Sequence, residues 1–105
     1  MSVKEFLDYI ATLRGLRGNE RRAQVEQATT QLELLQVLNT PIDALSIRLK
    51  RKVAIAQAIL HTPALLLLDE PTEGFYPDDK YAFSALLQQL TQDMTVIVAS
   101  RHCDE

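Results

Sequence analysis

The run Ala64-Leu65-Leu66-Leu67-Leu68-Asp69-Glu70-Pro71 constrains the fold more than any other stretch of the chain. Consecutive leucines without polar alternation suit a strand covered on both faces, as in a parallel sheet. Pro71 lacks the amide proton that a further ladder bond would take, so the strand stops there. Core packing does not call for two acids at its tip. The carboxyl ends of parallel strands are where open α/β sheets place their ligands. An Asp-Glu pair at that position suits a hydrated Mg²⁺ held by Asp69 and a water activated by Glu70. It suits equally a strand that simply ends in two solvated acids, and this segment alone leaves both readings open.

Helical spacing dominates the residues before that run. Ser2 and Glu5 stand at capping-box distance, which predicts a helix from near Val3 with Phe6, Leu7, Ile10 and Leu13 on its apolar face. Gly15 and Gly18 bracket a turn. Asn19 is placed to cap a second helix, with Glu20 in its first turn. Val25, Ala28, Leu32 and Leu35 would be its buried stripe, and Asn39-Thr40-Pro41 its end. A third helix is expected from about Ser46 to His61, burying Leu45, Leu49, Val53, Ile55, Ala56, Ile59 and Leu60. Thr62-Pro63 closes it, and His61 reads as a C-terminal capping residue.

After the leucine run, Pro77 and Asp78 start a helix with Phe83, Leu86, Leu87 and Leu90 on one side. Thr95 to Ser100 is rich in β-branched residues and reads as a second strand. Strand, helix, strand is a βαβ unit with parallel strands and a right-handed crossover. Two such strands need cover on both faces, and these helices supply much of only one. The expected architecture is α/β: a helical part over 1–61, then a βαβ portion of a parallel sheet over 62–105. The domain is expected to be incomplete, with the missing cover supplied from outside the chain.

The 105 residues allow at most one domain, and 47% apolar content is enough for a core. A net charge of −3 implies no general attraction to nucleic acid or anionic lipid. The single Cys103 rules out an internal disulfide framework and is compatible with a reducing cytosol. No apolar stretch approaches the length of a membrane span.

Taken in order, the motifs resemble the second half of the nucleotide-binding domain of an ATP-binding cassette (ABC) transporter, a P-loop NTPase. Val3-Lys4-Glu5-Phe6-Leu7 resembles the segment after that family's Q-loop. Leu45-Ser46-Ile47-Arg48-Leu49 falls at the LSGGQ signature and Leu65 to Glu70 at Walker B. Glu73-Gly74-Phe75-Tyr76-Pro77 falls at the D-loop and His102, in Ser100-Arg101-His102, at the switch histidine. The resemblance implies that Asp69 binds Mg²⁺ through water and that Glu70 polarises the attacking water as general base. It implies that His102 contacts the γ-phosphate, and that Ser46 and Arg48 face ATP held by the opposite subunit. ATP and Mg²⁺ are then the cofactors of the complete assembly. The implied setting is cytoplasmic, peripheral to a membrane through a permease partner.

Several residues depart from the family pattern. GxxxxGK[ST] does not occur among the chain's three glycines, Gly15, Gly18 and Gly74. Phosphoryl transfer depends on positioning and charge stabilisation, so no ATPase activity is expected from this chain alone. Ile47 and Arg48 put side chains where the signature has glycines, and Arg48 would either add charge or block the site. Ser46 keeps the hydroxyl at a helix N-terminus, which also makes it an ordinary N-cap. Phe75-Tyr76 replaces Leu-Asp in the D-loop. Together these changes point to a degenerate site.

Arg48, Lys50, Arg51 and Lys52 form a basic run with no interleaved aromatic, which reads as a solvated helix face rather than a nucleic-acid surface. His102, Cys103, Asp104 and Glu105 are adjacent and cannot easily converge on one ion. The expected partners are the missing N-terminal half of the domain or a second ABC subunit, a membrane permease, and a second copy through the exposed sheet. The alternative is a non-catalytic cassette that docks on an intact ATPase or permease as a structural or regulatory piece. A ribosome- or nucleic-acid-associated ABC protein is a weaker third reading.

Overall fold

A computed structural model describes residues 1–60, 65–92 and 94–99. Helix α1 spans Val3–Leu13 and opens on the expected capping box. The Glu5 amide donates to Ser2 Oγ (3.1 Å), and the Ser2 amide donates to Glu5 Oε1 (2.8 Å). Val3, Leu7 and Ala11 are fully buried, with Phe6 and Ile10 packed beside them. Leu13, expected on that face, is 64% exposed. Gly15 ends the helix in the left-handed conformation (φ 91°). The Leu16 amide reaches back to Ala11 O and the Gly15 amide to Thr12 O, both at 3.0 Å. This is a Schellman closure, and it drives Leu16 into the core.

Helix α2 covers Gly18–Gln31. Two expectations are corrected here. Asn19 does not cap it: Arg17 holds the N-cap position, and Asn19 Oδ1 takes a bond from Arg22 Nη1 (3.4 Å). The helix also stops well before Asn39. Glu33 adopts φ 58°, and the Leu34 and Glu33 amides return to Thr29 O (2.8 Å) and Thr30 O (3.1 Å). That second Schellman closure turns the chain so that Leu34 is completely buried while Leu35 is 55% exposed. Helical spacing alone favours Leu35, because it continues the stripe of Val25, Ala28 and Leu32. Short 3₁₀ turns at Leu35–Val37 and Ile42–Ala44 carry the chain back to α1, where the Val3 amide bonds Thr40 O (3.1 Å).

Helix α3 runs over Ile47–Ile59 and buries Val53, Ile55, Ala56 and Ile59. Arg14 closes its far end, donating to the carbonyls of Gln57 and Leu60 and to Gln57 Oε1. His61, Thr62 and Pro63 lie outside the described residues, as does the expected role of His61 as a cap.

Strand β1 (Leu65–Asp69) pairs in parallel with β2 (Thr95–Ala99), Leu65 opposite Thr95 and Asp69 opposite Ala99. Helix α4 (Pro77–Leu90) connects them and buries Phe83, Leu86 and Leu90. The strand–helix–strand unit is therefore parallel, as expected. Its two faces differ. Leu66 and Leu68 point into the core against the helices, whereas Leu67 and Ile97 on the other face are 65% and 51% exposed. An apolar sheet face without cover is what the sequence anticipated for this half of the molecule.

Candidate functional site

Two short segments bring together most of the candidate residues. The first is the exit from β1. Asp69 ends the strand and is exposed; Glu70 is half-buried. The Glu70 amide donates to Ala99 O at 2.8 Å, which adds one bond beyond the strand pair. Its backbone then takes φ 48°, a left-handed conformation that costs a non-glycine residue about 1–3 kcal/mol. Such conformations concentrate at sites where geometry matters more than local comfort. The turn closes through Glu73 N–H to Glu70 O (3.3 Å) and Phe75 N–H to Thr72 O (2.9 Å).

The second segment is the start of α3. Ser46 has extended backbone angles and accepts the Leu49 amide on its hydroxyl (3.2 Å). It is therefore an N-cap, as its position suggested. Arg48 follows in the first turn. The link between the two segments is Gly74, whose φ of +82° is left-handed. A Cβ there would lie 3.4 Å from the Arg48 amide nitrogen and 3.5 Å from Ile47 Cγ2. The turn after Glu70 thus rests directly on the first turn of α3.

Only part of the basic run on α3 is the solvated face that its composition suggested: Lys50 is exposed and Arg51 lies at the surface, but Arg48 and Lys52 turn inward. Lys52 has a side chain only 4% exposed, and Arg48 is three-quarters buried. Both converge on Asp79, in the first turn of α4. Arg48 grips its carboxylate with two nitrogens, Nε to Oδ2 and Nη2 to Oδ1 (3.0 Å). Lys52 Nζ donates to Oδ1 (2.8 Å) and reaches Glu33 Oε1 (3.3 Å). The Tyr76 amide donates to Asp79 Oδ2 (3.0 Å). The Arg48 guanidinium also lies over the Tyr76 ring, 4.7 Å from its centre, and Lys52 Nζ lies 5.8 Å from the centre of Phe75. Phe75 itself packs edge-on against Phe83. Arg51 pairs with Glu73 on the surface.

The physical reason for the correction is burial. A buried lysine or arginine needs an anion, and α4 and the end of α2 each supply one. The Arg48 bonds hold the Asp79 carboxyl far below the usual carboxylate range, against the opposing effect of its burial, with Lys52 and the Tyr76 amide adding to the lowering. Arg48 is raised in turn, chiefly by the same bond. Asp79 and Glu33 carry no motif. The only sequence signal for Asp79 is its place three residues after Tyr76 at a helix start, which marks a capping acid but not a buried one.

His102, Cys103, Asp104 and Glu105 lie outside the described residues. Among the described residues, no three His, Cys, Asp or Glu side chains converge. Asp69 and Glu70 offer hard oxygen donors, which fits a Mg²⁺ ion that keeps several of its waters and shares its coordination with phosphate. No described helix is long and apolar enough to cross a membrane.

Comparison with known proteins fits this geometry. The profile of the ABC transporter family matches residues 1–73. The chain is 33% identical over all 105 of its residues to the ABC transporter ATP-binding protein NatA of Bacillus subtilis, and spans 43% of that protein. It is 34% identical over 98 residues to an ABC-type organic anion transporter of Mus musculus, of which it spans 6%. A subunit of the cbiONQ transporter complex from Clostridium perfringens superposes on 94% of the chain at TM-score 0.76 and 29% identity, with 40% of that subunit covered. An ATP-binding cassette of another ABC transporter superposes on 99% of the chain at TM-score 0.78 and 19% identity, with 47% of it covered, which speaks for the fold alone. The chain therefore spans less than half of each of these proteins and belongs to the ABC transporter family, with the fold of its ATP-binding domain.

Proposed function

We propose that this chain is part of an ATP-binding subunit that couples ATP binding and hydrolysis to transport across a membrane. The observation that carries the reading is the exit from β1. Asp69 and Glu70 follow one another at the carboxyl end of a parallel strand, and Glu70 is held in a left-handed backbone conformation. In this reading Asp69 holds Mg²⁺ through a water, and Glu70 orients the attacking water and takes its proton. Bound Mg²⁺ supplies neutralisation of phosphate charge. Ser46 and Arg48 face the nucleotide of the opposite subunit, where the N-terminus of α3 favours an anion. His102 contacts the γ-phosphate.

The phosphate cradle comes from the remainder of the nucleotide-binding domain or from a second ABC subunit, and a permease provides the membrane path. The setting is cytoplasmic and peripheral. The 105 residues by themselves do not hydrolyse ATP, because their sequence contains no GxxxxGK[ST] loop. Calorimetry with Mg²⁺-ATP on the purified chain is expected to show no binding. Tight, Mg²⁺-dependent binding would overturn that statement.

A second reading is a non-catalytic cassette that docks on an intact ATPase or permease. It is favoured by Ile47, 63% exposed where the family signature has glycine, and by Arg48, already engaged by Asp79. Glu70→Gln in the assembled transporter separates the two. Abolished phosphate release with ATP binding intact supports the catalytic role. Unchanged phosphate release supports the docking role.

A further inference from the structure

We infer that Asp79 is a positioning residue for the signature segment: it takes the Nε–Nη2 edge of Arg48 and so fixes the guanidinium over Tyr76, in the first turn of α3. The inference rests on the proposal that Ser46 and Arg48 face a nucleotide. It adds a residue from a different helix, outside any recognised motif, that decides how Arg48 is presented.

The geometry is specific. Arginine is planar and carries five N–H donors on two usable edges. Asp79 occupies the side edge through Nε and Nη2. The ring of Tyr76 takes one face, and the guanidinium group belongs to a side chain that is still 27% exposed. The Nη1 corner is left as the part of the fork that a second oxyanion would meet.

Asp79 is itself immobilised. Its Oδ2 accepts the Tyr76 amide, its Oδ1 accepts Lys52, and its side chain is 5% exposed. Lys52 is backed by Glu33. The charged and titratable groups facing Asp79 are therefore Arg48 and Lys52 from α3, with Tyr76 and Glu33 at the margin. The carboxylate is a fixed anchor, and Arg48 is the partner that adjusts to it. With Ile47 and Arg48 in place of glycines, a freely rotating arginine would sweep across the front of the helix. The Asp79 contact parks it instead.

The test reads the Arg48 Nε–H resonance of the full chain by NMR, without nucleotide. This separates it from the ATP proposal, which fails or survives on calorimetry and phosphate release. The Nε–H is expected to be protected from water exchange in the wild type. It should report the protonation of a carboxylate held well below the usual carboxylate range by the Arg48 bonds. Asp79→Asn should speed its exchange by roughly ten- to a hundredfold, the loss of a charge-assisted bond. Asp79→Glu should restore part of the protection.

Because Asp79→Asn strands Lys52, the same substitution is made with Lys52→Met, which removes the second buried charge. The amide of Tyr76 keeps an acceptor in the asparagine variant, so a merely capping role for Asp79 would leave the Arg48 signal unmoved. An Arg48 resonance that ignores Asp79→Asn, alone and with Lys52→Met, would overturn the inference. So would one that follows only carboxylates titrating in the ordinary range.

Discussion

Lys52 Nζ lies 2.8 Å from Asp79 Oδ1, and the two side chains are only 4% and 5% exposed. Burial makes the pair asymmetric. Lys52→Met leaves Asp79 with Arg48 and the Tyr76 amide, whereas Asp79→Ala leaves Lys52 with only the mostly solvated Glu33. The aspartate substitution is therefore expected to cost about 3–5 kcal/mol, the range for an orphaned buried charge, and Lys52→Met distinctly less. Urea denaturation of both variants checks the order.

Acid should unfold the protein through the same group. The folded Asp79 carboxyl titrates far below its unfolded value of about 3.9, so the unfolded chain binds its proton first as pH falls. The stabilisation is fully present above that unfolded value and is lost as pH drops below it toward the folded one. Glu5, lowered by its bonds to Ser2, acts in the same direction. A plot of unfolding free energy against pH should fall below about pH 4 in the wild type and flatten in Asp79→Asn. An unchanged acid limb in that variant would count against the assignment.

Ser46 carries two roles that one substitution can separate. Ser46→Ala removes the N-cap of α3 and should cost about 1 kcal/mol in stability. Ser46→Asp keeps a capping oxygen and places a negative charge where the proposal puts a phosphate. Thermal melts should show Ser46→Asp near wild type, while ATP turnover in the assembled transporter falls more than in Ser46→Ala.

Gly74→Ala should destabilise by about 1–3 kcal/mol, since φ +82° is costly for an L side chain. Its new methyl would also meet the Arg48 amide. Amide shifts confined to 46–49 and 70–76 are the expected NMR signature.

Glu33→Gly tests the closure of α2. Glycine relieves the left-handed strain at φ 58°, while the loss of Glu33 removes one partner of Lys52. The partner is exposed and its pairing weak, so the net change in melting free energy is expected to lie within about 1 kcal/mol of zero.

Local chemistry made much of this fold legible. Ser2 with Glu5, and Ser46 before Ile47, announce the starts of α1 and α3 through hydrogen bonds that span one turn. The leucine run and the β-branched 95–99 segment announce a parallel pair, and their apolar character on both faces anticipated the bare Leu67 side. The end of α2 was not legible. Its stop residue is a glutamate in a conformation that usually takes glycine, and Leu34 beats Leu35 for the core only once the chain has turned. The charge cluster was hidden for a related reason. Arg48 and Asp79 are 31 positions apart. Four basic residues within five positions look solvated until α4 brings an acid beneath Arg48 and Lys52. Motif order marks Asp69, Glu70 and Ser46 as candidates; Asp79 belongs to no motif.

The β1–β2 pair has a consequence for anything that completes the sheet. Each strand is flanked on one side only among the described residues, so each turns a row of amides and carbonyls outward as a template. Side chains alternate along that template, and a slip of one residue would exchange the Leu67 and Ile97 side for the Leu66 and Leu68 side. A strand added here is thus held to one alignment by the ladder, and a layer laid over Leu67 and Ile97 is held to an apolar surface by the exposed side chains. The growth front specifies both the spacing and the polarity of what can be joined to it.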